Sequence, residues 1–211
     1  MKDVELNYSE LLYLNADKYV PVAGFLQNKE ELPDEGKKLS VIKLGNLEAE
    51  VAFAYLYFNG HINIEIQNKK IFGFIPKKVV VSTKKSKGVG LTSLEKSIFD
   101  LSDGKIDIST ILYRLIGEEC SVPWSVVVGG AKKSLVNKEF LIEEKITKKI
   151  IVNYYVYKYH LNPKKNYDFK DEVAKMNEKL KEFSKKDFYK QLVKSIDSGI
   201  NSQKEKPDSN D

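Results

Sequence analysis

One plan occurs twice in this 211-residue chain, and that repetition restricts its fold more than any other feature. The segments NGHINIEIQNKKIF, from Asn59, and NKEFLIEEKITKKII, from Asn137, each run turn, strand, basic turn, returning strand. In the first, Ile62, Ile64 and Ile66 alternate with polar residues, which is the period of a half-buried strand. Asn68-Lys69 can turn, and Ile71 to Ser82 reads as the return. In the second, Leu141 to Ile146 leads to a predicted turn at Thr147-Lys148-Lys149. Ile150 to Leu161 follows, a β-branched and tyrosine-rich run suited to a pleated surface.

Helical patterns precede both hairpins. Leu47, Val51, Ala54, Tyr55 and Phe58 recur at helical spacing, and Gly60 can take the left-handed stop, so a helix is expected over 46–59. Its outward face would carry Glu48, Glu50, Ala52 and Phe53. Ahead of the second hairpin three helices are expected. Thr92-x-x-Glu95 reads as a capping box introducing Leu94, Ile98 and Leu101. Asp107 caps the next helix, whose stripe is Ile108, Ile111, Leu112, Leu115 and Ile116. Ser121 with Pro123 starts the third, with Trp124, Val127, Val128, Ala131, Leu135 and Val136 turned inward. Helix, helix, helix, hairpin is the winged-helix plan. The expected class is therefore mainly α with β-hairpins (α+β): two winged-helix-like units plus a C-terminal helical extension.

The expected units are residues 1–83, a helix and hairpin, and residues 91–161, the second winged-helix unit, with 82–90 as a lysine- and glycine-bearing linker. Asn7 and Glu10 suggest a capped first helix through Leu14, and the polar run Gln27 to Lys38 reads as an exposed excursion. Over 167–201, Phe169, Val173, Met176, Leu180 and Phe183, then Phe188, Leu192, Ile196 and Ile200, predict one kinked helix or two. Their stripe could either form a dimer seam or pack back onto the domain. Residues 202–211 are polar and expected to be disordered.

Chemistry-bearing motifs are scarce. Cys120 is the single cysteine, which excludes an internal disulfide and any cysteine-rich metal site. Met1 to Leu14 carries charges where a signal peptide needs an apolar run, and no stretch approaches the length of a membrane span. These features lead to the expectation of a cytoplasmic protein whose membrane contact, where it has any, is peripheral. The glycines of Val126–Ser134 lack the spacing of a phosphate-binding loop, and helical spacing of the neighbouring apolar residues favours a core helix there. His61 and His160 stand apart from any ligand set, and nearly every acidic residue reads as part of a solvated helix face. No catalytic residues, no cofactor and no metal are expected.

Charge offers a mild hint of affinity for phosphate, at 35 basic against 30 acidic side chains, with Arg114 the only arginine. The densest local feature is Lys69-Lys70-Ile71-Phe72-Gly73-Phe74-Ile75-Pro76-Lys77-Lys78, where two lysine pairs bracket an apolar tip. Such a tip could seat its aromatic residues among lipid headgroups while the lysines meet anionic lipid, or it could simply pack inward with its lysines guarding a strand edge. The candidate lipid-contacting residues are Lys69, Lys70, Phe72, Phe74, Lys77 and Lys78, with Lys132 and Lys133 on the third helix.

The stretches LEAEVAFAYLYFNGHINIE, GVGLTSLEKSIFDL and AKKSLVNKEFLIEE, within about residues 45–161, resemble the Golgi-phosphoprotein-3-like family. That resemblance implies a largely helical fold and, from the eukaryotic members, an adaptor that reads a phosphoinositide headgroup. An early ELLYL is similar to the opening of a related bacterial group. The family's lipid-binding arginines align near Ser125 and Val128, leaving Lys132 and Lys133 as the nearest cations. The leading expectation is thus a non-catalytic, adaptor-like protein with a protein partner or an anionic membrane surface. The alternative is a winged-helix DNA-binding regulator acting through Lys132, Lys133 and the 147–149 turn; an enzyme is the third reading.

Overall fold

The computed structural model describes residues 5–25, 27–33, 36–68, 77–83, 90–91, 93–117, 120–149 and 153–201. Helix α1, Tyr8–Leu14, opens the chain, with the Asn7 amide donating to Glu10 Oε2 at 2.7 Å as the capping pattern requires. The 27–38 region is not a bare excursion. Strands β1, Lys29–Glu31, and β2, Lys38–Ser40, pair antiparallel there, and Leu32 and Leu39 are buried. The buried positions of this segment are few and widely spaced, so its sequence carries no period of two.

Helix α2, Val41–Phe58, starts five residues before its expected first turn, with the Ser40 hydroxyl accepting the Lys43 amide. It is the hub of the molecule, packing on α1, on β3 (Ile62–Asn68), and on α3 (Ser93–Leu101), α5 (Pro123–Asn137), α6 (Lys170–Phe183) and α7 (Tyr189–Asn201). The supposed outward residues Glu48, Ala52 and Phe53 are completely buried. A helix with neighbours on most of its circumference keeps only a narrow polar strip, here at Lys43, Asn46 and Glu50, too slight to mark outside from inside.

Strand β3 pairs antiparallel with β4, Lys77–Thr83, in register from Ile62 opposite Thr83 to Asn68 opposite Lys77. The tip, Lys69 to Pro76, lies outside the described residues. Strand β5, Ile106–Asp107, then joins the far edge of β4. Asp107 also caps α4, Ile108–Ile116, accepting the Ser109 amide at 2.9 Å. A short strand between the first two helices of the second unit thus completes the sheet of the first. One core cluster draws on both units.

Helix α5 forms as its spacing predicts, with Pro123 in the first turn and Val122, rather than Ser121, at the cap. Trp124 and Leu135 are buried. The double glycine answers a packing need: a Cβ on Gly130 would lie 2.9 Å from Leu94 Cβ, so α5 and α3 touch there, whereas Gly129 meets nothing. At the end of α5 the Phe140 amide returns to the Leu135 carbonyl at 2.8 Å, and Glu139 takes φ 62°, the left-handed stop usually given to glycine.

Strands β6, Leu141–Lys149, and β7, Asn153–Leu161, form the second hairpin. Thr147, Lys148 and Lys149 are not a turn: they pair with Tyr155, Tyr154 and Asn153. Three polar residues after an apolar alternation suggested a reversal, but an exposed hairpin needs no apolar residue to extend its ladder. Helices α6 and α7 break near Ser184 and pack back onto the domain. Phe183 and Phe188 meet Tyr57 and each other edge-on or tilted at 5.4–5.7 Å, and Tyr189 donates to Glu50 at 2.8 Å. Residues 202–211, expected to be disordered, lie outside the described residues.

Candidate functional site

A buried polar network lies where α1, β1, α2, α3 and α5 meet. Acidic residues do occupy the interior here, contrary to the reading that nearly all of them are solvated. Glu10 and Glu48 are fully buried, as is Glu95, and Glu30 nearly so. Glu10 accepts from the Ser134 hydroxyl and from Lys138 Nζ, both at 2.7 Å. Ser9 donates to Glu95 at 2.6 Å. Glu30 accepts from the Tyr13 hydroxyl at 3.0 Å and from Lys132 Nζ at 2.9 Å. Buried carboxylates survive only when paired or neutralised, and these contacts tie α1 and β1 to α5.

In two members of the cluster, burial shifts the balance toward the protonated form. Neither oxygen of Glu48 meets a hydrogen-bonding partner among the described residues. Burial raises its pKa well above the carboxylate range, and the negative neighbours Glu95, Glu10 and Glu30 raise it further. Burial also lifts Glu95 to about 7, against the opposing effect of its hydrogen bond from Ser9. Tyr13 is likewise raised by burial and then by Glu30. Among the described residues, no group of three metal-ligating side chains is close enough to hold an ion. The network therefore reads as a polar joint that fixes helix positions, with its exposed rim in the cleft described next.

That cleft, about 420 Å³, lies between the β1–β2 and β6–β7 hairpins. Glu30, Glu31, Leu32 and Gly36 line one wall, and Val156, Tyr157, Lys158, Tyr159 and His160 the other, with Lys132 and Lys148 completing it. Lys132 Nζ sits 4.7 Å from the Tyr159 ring centroid, and Tyr159 donates to Glu143 at 2.9 Å. Burial raises the Tyr159 pKa, so its hydroxyl stays a donor. Farther out, Lys145 Nζ lies 3.6 Å over Tyr155, and Tyr155, Tyr157 and Ile142 are exposed.

The residues proposed from sequence fare unequally. Lys69, Lys70, Phe72 and Phe74 lie outside the described residues. Lys77 starts β4, and Lys78 pairs with Asp107 at 3.5 Å. Lys132 is engaged by Glu30 and Tyr159, whereas Lys133, on the same helix, is exposed. His160, read as isolated from carboxylates, meets Glu144 Oε2 at 3.1 Å, because antiparallel register brings residues sixteen apart side by side. The cluster itself was detectable in part. Glu48 stands on the stripe formed by Leu44, Val51 and Ala52, and Glu95 three residues before Ile98, so each is a charge set into an apolar face. Comparisons with family models, curated proteins and solved structures found no match to this chain.

Proposed function

We infer that this chain is a non-catalytic, adaptor-like protein that binds another protein through its β6–β7 hairpin and the cleft at the hairpin's foot. The observation that carries this reading is the exposure of Tyr155 (58%) and Tyr157 (49%) on a nine-residue strand that, among the described residues, one neighbouring strand alone supports. Two-stranded hairpins are marginal alone. Tyrosine is also a side chain enriched at protein interfaces, having a large apolar face, a polar tip and few rotamers to freeze. The DNA-binding alternative loses support because Lys132 is already committed to Glu30 and residues 147–149 form strand, not a projecting turn.

The test pairs capture of proteins from cell extract, by the wild-type chain and by a Tyr155→Ser/Tyr157→Ser variant, with vesicle co-sedimentation and a duplex gel shift over a salt series. The expected result is a set of proteins retained by the wild type and lost from the variant, with no duplex shift. A salt-sensitive shift of duplex DNA, unaltered in the tyrosine variant, would overturn the reading in favour of a nucleic-acid binder. Sedimentation only with anionic vesicles would replace the protein partner by a membrane surface.

A further inference from the structure

Successive residues of a strand point to opposite faces of a sheet. Val156, Lys158 and His160 therefore belong to one face of the hairpin and Tyr157 and Tyr159 to the other, yet all five line the same cleft. A cleft that wraps an edge of β7, reaching Lys148 of β6 over one face and Lys132 over the other, satisfies this. The edge is the outer one of β7, since β6 pairs along the other side over the whole length. Among the described residues this outer edge has no ladder partner. Its five residues span roughly 16 Å, enough for a short extended segment.

Charge says what kind of segment fits. Within the cleft, Lys132 meets Glu30 at 2.9 Å, while Glu31 lies 3.8 Å from Lys38, outside the lining, and His160 Nε2 lies 3.1 Å from Glu144. Lys148 and Lys158 line the cleft, are exposed, and carry no ion pair among the described residues. Lys132, Lys148 and Lys158 outnumber Glu30 and Glu31 in the lining, a surplus of one positive charge, and the two unpaired lysines are the groups a ligand would meet. A second copy of the chain pairing edge to edge would bring two Lys158 side chains and the neighbouring lysines of β6 onto one small sheet, and like charges disfavour that arrangement.

We propose that an extended, acidic segment of the partner protein adds as a strand to the outer edge of β7, with Lys148 and Lys158 selecting its charge. This rests on the protein-binding reading above and deepens it. Main-chain hydrogen bonds to the edge supply affinity, and the alternating side chains supply specificity. The single structural competitor is that Lys158 only guards the edge against pairing.

The probe is a labelled short peptide alternating glutamate and valine, titrated into the full chain by fluorescence anisotropy. Beside it run a lysine–valine counterpart and the acidic peptide N-methylated at alternate amides. Saturable binding of the acidic peptide alone is expected, with hydrogen-exchange protection confined to Val156–Tyr159. The variant Lys148→Glu/Lys158→Glu should bind it roughly tenfold more weakly. N-methylation keeps the charges but deletes ladder donors, so it should abolish binding. Equal binding of the N-methylated or the basic peptide, no binding of any peptide, or a dimer that the double lysine variant dissolves would each overturn strand addition. If peptide binding fails while tyrosine-dependent protein capture persists, strand addition falls and the protein-binding reading stands.

Discussion

The two hairpins share a sequence plan and have opposite fates. In β3–β4, Ile62, Ile64, Val79, Val80 and Val81 are all buried, and β5 closes the far edge of β4. Among the described residues of β6–β7 only Leu141 is buried, and no third strand joins there. Similar alternation therefore does not imply a similar role. A hairpin becomes part of the core when a neighbour covers both its face and its edge; left with one strand and a row of tyrosines, it remains a surface for something else.

The largest expected effect tests the first half of that contrast. Ile62→Ala should cost about 2–5 kcal/mol in chemical denaturation, the range for a large-to-small change in a packed core. Ile142→Ala, on the other hairpin, should stay within about 0.5 kcal/mol of wild type. Comparable losses at the two positions would erase the distinction.

The second test uses pH to ask whether the hairpins share one cooperative unit. The folded pKa of Glu95, about 7, lies above its unfolded value, so over that interval the folded state holds a proton the unfolded chain has released. Stability is fully present below the unfolded value and is lost as pH rises to about 7, by roughly 3 kcal/mol. Glu95→Gln should flatten this decline. The raised pKa of Glu48 extends the loss to higher pH, and Glu48→Leu should raise stability by about 1–3 kcal/mol by removing an unsatisfied buried group. Hydrogen exchange of β3–β4 amides should follow this pH dependence, while the outer β6–β7 amides exchange through local opening and do not.

The smallest effect concerns how the exposed hairpin is mounted. Gly130→Ala should destabilise by about 1–2 kcal/mol, the overpacking against Leu94 exceeding the gain in helix propensity. Gly129→Ala, which meets nothing, should stabilise by up to about 1 kcal/mol in the same thermal melts.

Much of the framework was legible from local pattern. The stripe of α5, the Asp107 cap, the break near Ser184 and the alternation of β3 each follow from a period or a capping residue that needs no distant partner. The mistakes share a cause. Residues 147–149 and the β1–β2 pair differ from expectation where strands carry too few apolar residues to show a period. The candidate site was less legible than the fold, because its lysines and tyrosines come from segments more than a hundred residues from Glu30.

What this sequence determined by itself is its set of elements and their inward faces, since helix and strand periods are written within a few residues. Only the tertiary structure decided that β5 joins the first sheet, that Glu48 and Glu95 are enclosed, and that among the described residues β7 pairs with β6 alone. Pairing partners and burial are set by which distant segments pack together, and a residue's charge state or availability depends on that surrounding rather than on its own identity.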